Sequence, residues 1–211
     1  EERLSAIAEK LAGLGAKLTR ARTASSAKLA EAMQRELAEL AMPNAIFSVS
    51  LETLPEPRPT GLERVEFMFS PNPGEPPRPL ARVASGGELS RLMLALKQLH
   101  PESDVPTLVF DEVDTGIGGA TSAKVGRKLK RVAGQQQVLC ITHLPQVAAF
   151  ADSHYSVSKI QESGRTVTKV VLLEDEERVN EVARMLGGVN ITGTTREHAR
   201  ELIKEAELHA A

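Results

Sequence analysis

Residues 107–114 read TLVFDEVD, a short apolar run that ends in two adjacent acids, Asp111 and Glu112. A second apolar run, VLCI, is followed by Thr142 and His143. Continuous apolar runs of this length are typical of central strands in a parallel sheet that helices cover on both faces. Because the carboxyl ends of parallel strands meet at one edge of a sheet, we expect these four polar residues to lie together there.

The motif SGGELSR, at residues 85–91, precedes the first of these strands. Ser85 suits a helix N-cap, and Glu88 three residues later completes a capping box, so a helix should begin near Gly86. Capping does not explain Gly86 and Gly87, since glycine in a helix costs up to about 1 kcal/mol relative to alanine. The pair indicates close approach to the backbone, and a phosphate suits the free N–H groups and positive dipole of a helix start.

The acidic pair favours phosphoryl-transfer chemistry, in which the protein mainly positions groups and neutralises charge. Asp111 would hold Mg²⁺, and Glu112 would orient or deprotonate the attacking water. His143, one strand over, would hydrogen-bond the γ-phosphate. Each signal is weak alone, because acids often end strands for solubility and a lone histidine at a strand end is more often structural. Their combination with the glycine pair makes nucleotide chemistry the preferred interpretation.

The sequence lacks the loop G-x-x-x-x-G-K-[ST], whose backbone and lysine cradle the β- and γ-phosphates of a nucleotide. The nearest imitation is GLGAKLT at residues 13–19, but its lysine does not follow a glycine. It also lies in a segment with helical periodicity, where a phosphate loop would not form. We therefore expect that this chain does not hydrolyse ATP by itself.

The composition is that of a globular protein without a general affinity for nucleic acid. The 211 residues include 26 Lys and Arg against 28 Asp and Glu, a formal net charge of −2, so any DNA contact must be local. Trp is absent and Tyr occurs once, which disfavours a base-stacking platform. No apolar run approaches the roughly 18 residues of a membrane span.

The single cysteine, Cys140, suits core packing better than nucleophilic chemistry, and a cytoplasmic setting is expected. The absent initial Met indicates a processed or excised chain.

The first part of the chain predicts one long helix, with an interruption possible in its pattern near Ser25, that ends before Pro43. Its apolar residues first recur in steps of three and four, the seam of a coiled coil, at Leu4, Ile7, Leu11, Leu14 and Leu18. An amphipathic helix packed on its own domain is the alternative. We assign residues 1–42 to this arm-end helix and residues 43–211 to a globular lobe.

Within the lobe, strands are expected at residues 45–51 and 62–69, followed by a proline-rich loop at residues 71–79 without regular structure. A helix at residues 120–132 joins the two apolar strands, with an inner face of Ser122, Val125, Leu129 and Val132 and a basic outer face of Lys124, Arg127, Lys128, Lys130 and Arg131. A short helix from Pro145, a hairpin and two C-terminal helices complete the lobe.

Three of these motifs, SGGELSR, LVFDEVD and ITH, resemble in order and spacing the signature motif, Walker B strand and switch histidine of an ABC-type ATPase head. More specific wording is EVDTGIGG at residues 112–119, THLPQVAAFAD at residues 142–152 and ARMLGG at residues 183–188. These stretches resemble the RecN family of bacterial DNA repair proteins, within the structural-maintenance-of-chromosomes (SMC) group. The resemblance covers about residues 79–188 strongly, and the heptad helix resembles the returning arm of a coiled coil.

The resemblance implies an α/β, P-loop NTPase-like head fragment: a mixed or parallel sheet flanked by helices, with an N-terminal coiled-coil helix. In that family the head is assembled from the two ends of one polypeptide, and two heads sandwich two ATP molecules as a homodimer. The signature residues would contact the γ-phosphate bound to the opposite head; they are Ser85, Gly86, Gly87 and Glu88. The nucleotide of the same head would be acted on by Asp111, Glu112 and His143. Asp114 matches the D-loop that crosses the dimer seam.

The implied function is ATP-gated dimerisation in double-strand break repair and recombination, in a nucleoid-associated protein. The implied partners are the N-terminal half that carries Walker A, a second head, and DNA. Two alternatives remain: a transporter ATPase fragment, disfavoured by EVDTGIGG and by the heptads, and a non-catalytic assembly module. For the basic outer helix face, a solvated surface is favoured over a DNA contact, because acidic residues balance the total charge.

Overall fold

The computed structural model describes residues 1–82, 85–100, 105–162, 164–188 and 190–208. They form two compact units, Glu1–Ser85 and Gly86–Ala211. The first unit contains a long helix and a small antiparallel sheet, and the second is an α/β unit. The predicted boundary after residue 42 marks the end of the helix, and as a domain boundary it stays a prediction.

Helix α1 spans Glu2–Glu39 without the interruption predicted near Ser25, and it ends before Pro43 as expected. Its C-terminal part is buried through Met33 and Leu37. The apolar seam of the N-terminal part is open to solvent instead, with Leu4 72% exposed and Ile7, Leu11, Leu14 and Leu18 exposed as well. Among the described residues, Leu18 lies against Gly61 of the following hairpin, and the rest of the seam stays open to solvent.

Strands β1 (Ile46–Arg58) and β2 (Gly61–Ser70) form a long antiparallel hairpin that packs on α1. The Arg22 guanidinium lies 3.1 Å from the buried carboxylate of Glu63, which fixes the hairpin to the helix. A two-residue strand β3 (Arg78–Pro79) pairs with β2, so the prediction of no regular structure in the proline-rich loop is wrong at this point. The strand lies at the sheet edge, where the missing N–H of a proline does no harm.

The second unit begins with helix α2 (Gly86–Leu99), strand β4 (Thr107–Phe110), helix α3 (Ala120–Ala133) and strand β5 (Gln137–Cys140). The two strands pair in parallel from Thr107 opposite Gln137 to Phe110 opposite Cys140, as the apolar runs predict. The inner face of α3 is also as predicted, since Ser122, Val125, Leu129 and Val132 are all buried.

The predicted coverage of this sheet on both faces is wrong for the part of the chain that the structure describes. In-register residues of parallel strands point to the same face, so Val109 and Leu139 share one face, which Ile141 extends. Val109 is 63% exposed and Ile141 60% exposed, whereas Phe110 on the other face is buried. Within the described residues the parallel sheet has two strands only, and one apolar face therefore lies open.

The remainder of the unit is helix α4 (Pro145–Ala148), a hairpin of β6 (His154–Glu162) and β7 (Arg165–Leu173), and helices α5 (Asp175–Gly187) and α6 (Gly193–Leu208). Pro145 is the first residue of α4, where its missing N–H leaves no bond unmade. Helices α5 and α6 pack around the buried residues Val182, Ala183, Ala199, Ile203 and Ala206. No helix in the described part of the chain is long and apolar enough to cross a membrane.

Candidate functional site

The glycine pair of SGGELSR lies in the first turn of α2, which begins at Gly86 directly after Ser85. A Cβ added to Gly87 would lie 2.9 Å from the carbonyl oxygen of Glu112 and 3.2 Å from Cβ of Thr115. A Cβ on Gly86 would meet the Glu112 carboxylate. The chain's own loop after β4 therefore approaches both glycines, a reason for the pair that is independent of any phosphate.

This loop is fastened to α2 by two further side chains of the motif. The Ser90 hydroxyl donates to the carbonyl of Asp111 at 2.6 Å. The buried Arg91 donates through Nη1 to the carbonyl of Thr115 at 2.7 Å and to that of Val113 at 3.4 Å. The signature helix and the loop that carries the acids thus form one connected structure.

Sequence reasoning did not identify Arg91 as a site residue. Burial lowers the pKa of its guanidinium, while the negative charges of Glu88 and Asp114 oppose that shift. The signal was present in the helix periodicity, because Arg91 lies one turn after Gly87 and next to the buried Leu92. A charged residue on the apolar face of a helix needs partners, and here backbone carbonyls provide them for Nη1. The buried Nε of Arg91 has no hydrogen-bond partner among the described residues.

Asp111 and Glu112 follow β4 and are both exposed. Glu112 has a φ of 57°, in the left-handed region that residues other than glycine rarely adopt. Its carbonyl accepts a hydrogen bond from the N–H of Thr115 at 3.0 Å, which closes a tight turn. The turn keeps the acids at the carboxyl end of β4, as the sequence predicts.

Asp114 is 2% exposed and connects this turn to the end of β5. Its Oδ2 accepts hydrogen bonds from the Thr142 hydroxyl and, at 3.0 Å, from the backbone N–H of His143. Nδ1 of His143 lies 3.2 Å from the same oxygen, although the His143 side chain is 71% exposed. In this chain the carboxylate is engaged internally, and a contact of Asp114 across a dimer seam stays a prediction.

Asp111 and Glu112 supply the hard carboxylate oxygens that Mg²⁺ prefers. However, the described residues contain no group of three or more Asp, Glu, His or Cys side chains that could hold a metal ion. The donor set therefore fits Mg²⁺ only in part. Asp111 would contribute one ligand, and phosphate oxygens, water and other protein groups would complete the coordination shell.

Cys140 ends β5, close to these acids, and is half-buried. Burial, with the carboxylates of Asp114 and Asp111 nearby, raises the pKa of its thiol to about 12. Because the thiolate is the reactive form, the thiol is inert near neutral pH. This agrees with the interpretation of Cys140 as a packing residue.

The two glycines should respond differently to the same substitution. In Gly87→Ala the new methyl group meets backbone and Cβ atoms, which cannot move aside without shifting the loop. We expect a loss of about 1–3 kcal/mol in the free energy of unfolding, as for an overpacked site. In Gly86→Ala the methyl group meets only the flexible end of Glu112, and stability should be unchanged or slightly higher. Urea unfolding of both variants tests this, and equal stabilities would contradict it.

No family model matches the chain. The sequence is 44% identical to the DNA repair protein RecN of Streptomyces coelicolor, over 95% of this chain and 37% of the relative. It is 39% identical to RecN of Bacillus subtilis, over 98% of this chain and 39% of the relative. RecN of Deinococcus radiodurans is 46% identical, over 95% of this chain and 35% of the relative. The chain thus spans little more than a third of the length of these curated relatives.

Two solved structures show the same fold. The Smc head domain with a coiled coil and joint from Pyrococcus yayanosii has a TM-score of 0.52 at 21% identity, covering 86% of this chain and 34% of that one. The Smc head domain with an extended coiled coil from Pyrococcus furiosus, bound to the C-terminal domain of ScpA, has a TM-score of 0.51 at 22% identity, covering 86% and 44%. The predicted fold class, an α/β fragment with the fold of such a head domain, is confirmed.

Proposed function

Since this chain is a RecN-like sequence over 95% of its length, consistent with a C-terminal piece of such a protein, we propose that it is the C-terminal half of an SMC-like ATPase head. The head would bind and hydrolyse ATP at a head–head interface and act in DNA double-strand break repair and recombination. One observation carries the proposal: Arg91 joins the start of the signature helix to the loop that bears Asp111 and Glu112.

The proposed roles follow from this arrangement. The backbone N–H groups at the start of α2, with Ser85 to Glu88, would bind the γ-phosphate held by the opposite head. Asp111 would ligate Mg²⁺ of its own head, and Mg²⁺ would neutralise phosphate charge. Glu112 would accept a proton from the attacking water, and His143 would contact the γ-phosphate from the adjacent strand.

The open apolar surfaces support assembly with a further segment. The exposed face of β4 and β5 and the exposed seam of α1 are each suited to burial by another part of the same protein. We propose that the half carrying Walker A covers the sheet face, and that a returning helix covers the α1 seam. ATP binding by the assembled head then requires both halves.

DNA binding enters the proposal through the RecN similarity rather than through a surface of this chain. On the outer face of α3, Lys130 already pairs with Asp152, and Lys124, Arg127 and Arg131 are exposed. A row of three exposed cations on one helix is common on solvated surfaces and falls short of a phosphate-binding cluster. We keep the solvated interpretation for this face.

The alternatives are distinguishable. The RecN identities disfavour the transporter fragment. The open apolar surfaces are also compatible with the non-catalytic assembly module, because a head that only associates with a partner would need them as well. A measurement of ATP hydrolysis distinguishes the two, because only an ATPase half would contribute to turnover.

The deciding experiment is to co-express this chain with an N-terminal segment that carries Walker A, and to measure ATP hydrolysis and dimerisation by light scattering. We expect hydrolysis by the co-purified complex, none by either piece alone, and a dimer that forms only with ATP. A co-purified, folded complex with neither activity nor an ATP-dependent dimer would contradict the ATPase proposal and favour the assembly module.

A further inference from the structure

Three possible hydrogen-bond donors that follow β5 lie around one oxygen, Oδ2, of the buried Asp114 carboxylate. Thr142 contributes its hydroxyl, His143 contributes its backbone N–H at 3.0 Å, and Nδ1 of the same histidine lies 3.2 Å away. The Thr142 hydroxyl also accepts from the N–H of Leu144 at 3.0 Å, which fixes the direction of its own proton toward Asp114. The arrangement leaves this carboxylate oxygen surrounded by donors.

The chemistry of the pair determines which ring nitrogen carries a proton. An ionised carboxylate can only accept hydrogen bonds, so an imidazole nitrogen that faces it must be protonated to avoid two opposed lone pairs. Nδ1 of His143 faces Oδ2 of Asp114, and the carboxylate is almost fully buried, where an uncompensated acceptor is costly. These partners place the proton of the neutral ring on Nδ1.

We propose that Asp114 is a positioning residue that keeps His143 in the Nδ1–H tautomer and turns its Nε2 outward. The exposed Nε2 is then the nitrogen left to exchange a proton or to meet a phosphate oxygen. Asp114 acts on the reaction only through His143, and it touches no reacting atom itself. Its role in hydrolysis rests on the proposed function, whereas the tautomer is a property of this chain alone.

A purely structural role for Asp114 is the competing explanation, because the same carboxylate fastens the loop after β4 to the loop after β5. The two explanations differ in what they require of the ring. If Asp114 only connects the two loops, it needs only the Thr142 hydroxyl and the His143 backbone N–H. The His143 ring could then take either tautomer. The positioning role requires Nδ1–H as the major form.

The test is long-range proton–nitrogen NMR of the ¹⁵N-labelled chain, at a pH where His143 is neutral. The His143 ring signals are assigned by their loss in His143→Gln. We expect the Nδ1–H tautomer as the major form in the unaltered chain and in Thr142→Val, which keeps the carboxylate. Asp114→Asn is expected to keep the Nδ1–H form, because an amide oxygen in the place of Oδ2 still accepts from all three donors. In Asp114→Leu the acceptor is lost, and the Nε2–H form should become the major one. A major Nε2–H form in the unaltered chain would overturn the proposal, whether or not Asp114→Leu folds.

The catalytic consequence is measured in the assembled head that hydrolyses ATP. Asp114→Leu should lower kcat at least tenfold with little change in KM for ATP, because Asp114 orients His143 and does not itself touch the nucleotide. An unchanged kcat alongside the expected tautomers would refute a role in hydrolysis. An inactive unaltered head would count against the proposed function, and the tautomer result would still stand.

Discussion

Replacing Glu112 by glutamine is expected to reduce ATP hydrolysis by the assembled head about 10²- to 10⁴-fold, the usual contribution of a general base. The change is nearly isosteric, so the turn around residue 112 and the approach to Gly86 should persist. A carboxamide has no basic oxygen with which to accept a proton from water. ATP binding and ATP-dependent dimerisation should remain, because neither requires that proton transfer.

Single-turnover hydrolysis and binding of a fluorescent ATP analogue separate the two effects. Glu177→Gln is the matched control, since Glu177 is also an exposed acid of the second unit but lies on α5. The control should hydrolyse ATP at the unaltered rate. If Glu112→Gln retains more than a tenth of the activity, Glu112 is not the base. If it loses dimerisation as well, Glu112 serves assembly instead.

The parallel pairing of β4 and β5 and the grouping of polar residues at their carboxyl ends could be predicted from the sequence. Apolar runs without alternation and strand-terminal polar residues are local signals, and the right-handed helical crossover leaves little choice of topology. The buried face of α3 was predictable for the same reason, since its apolar period is that of a helix. The long helix α1 could be predicted from the steps of three and four between its apolar residues, and its role as a coiled-coil arm stays a prediction.

The coverage of the sheet could not be predicted in the same way. An apolar run such as TLVF predicts that both faces of a strand are buried, but it does not indicate which part of a protein covers each face. In this structure Val109 and Ile141 remain open to solvent because the covering layer is not supplied by the described residues. The hydrophobic pattern therefore predicts that both faces of the strand are buried, and among the described residues one of them is not.

The partners of Asp114 and Arg91 were also beyond the sequence, because both contacts join segments far apart along the chain. Motif wording placed Asp114 at a dimer seam, whereas the structure surrounds its carboxylate with Thr142 and His143. Arg91 is the last residue of the motif SGGELSR and had no predicted role, and only the fold brings it to the carbonyls of Val113 and Thr115. Long-range polar contacts depend on how elements pack, which local periodicity does not encode.

Replacing Arg91 by methionine should lower the free energy of unfolding by about 2–4 kcal/mol, because hydrogen bonds that involve a charged group contribute about 1.5–3 kcal/mol each. Methionine fills much of the space of the side-chain stem, so the loss reports the guanidinium. The carbonyl of Thr115 would lose its 2.7 Å donor, and that of Val113 its longer one. The free energy of unfolding of Arg91→Lys should lie between those of the unaltered chain and Arg91→Met, since one ammonium cannot reproduce the guanidinium fork.

Urea unfolding gives the global effect, and hydrogen exchange of the Thr115 amide gives the local one, because that amide bonds to the Glu112 carbonyl within the turn. Arg131→Met on the exposed face of α3 is the matched control and should leave both unchanged. If Arg91→Met matches this control in stability and in Thr115 exchange, the two bonds do not hold the loop, and another contact must do so.

The consequence for catalysis follows from where the two bonded segments point in the proposed head. The start of α2 would face the nucleotide of the opposite head, and the loop of Asp111 and Glu112 would face its own. Arg91 is a direct side-chain bond between them, so methionine should uncouple them. We expect hydrolysis by the assembled Arg91→Met head to fall at least tenfold and its dependence on head concentration to weaken, because dimerisation would no longer fix the loop that carries Glu112. An unchanged concentration dependence would show that dimerisation reaches Glu112 by another route.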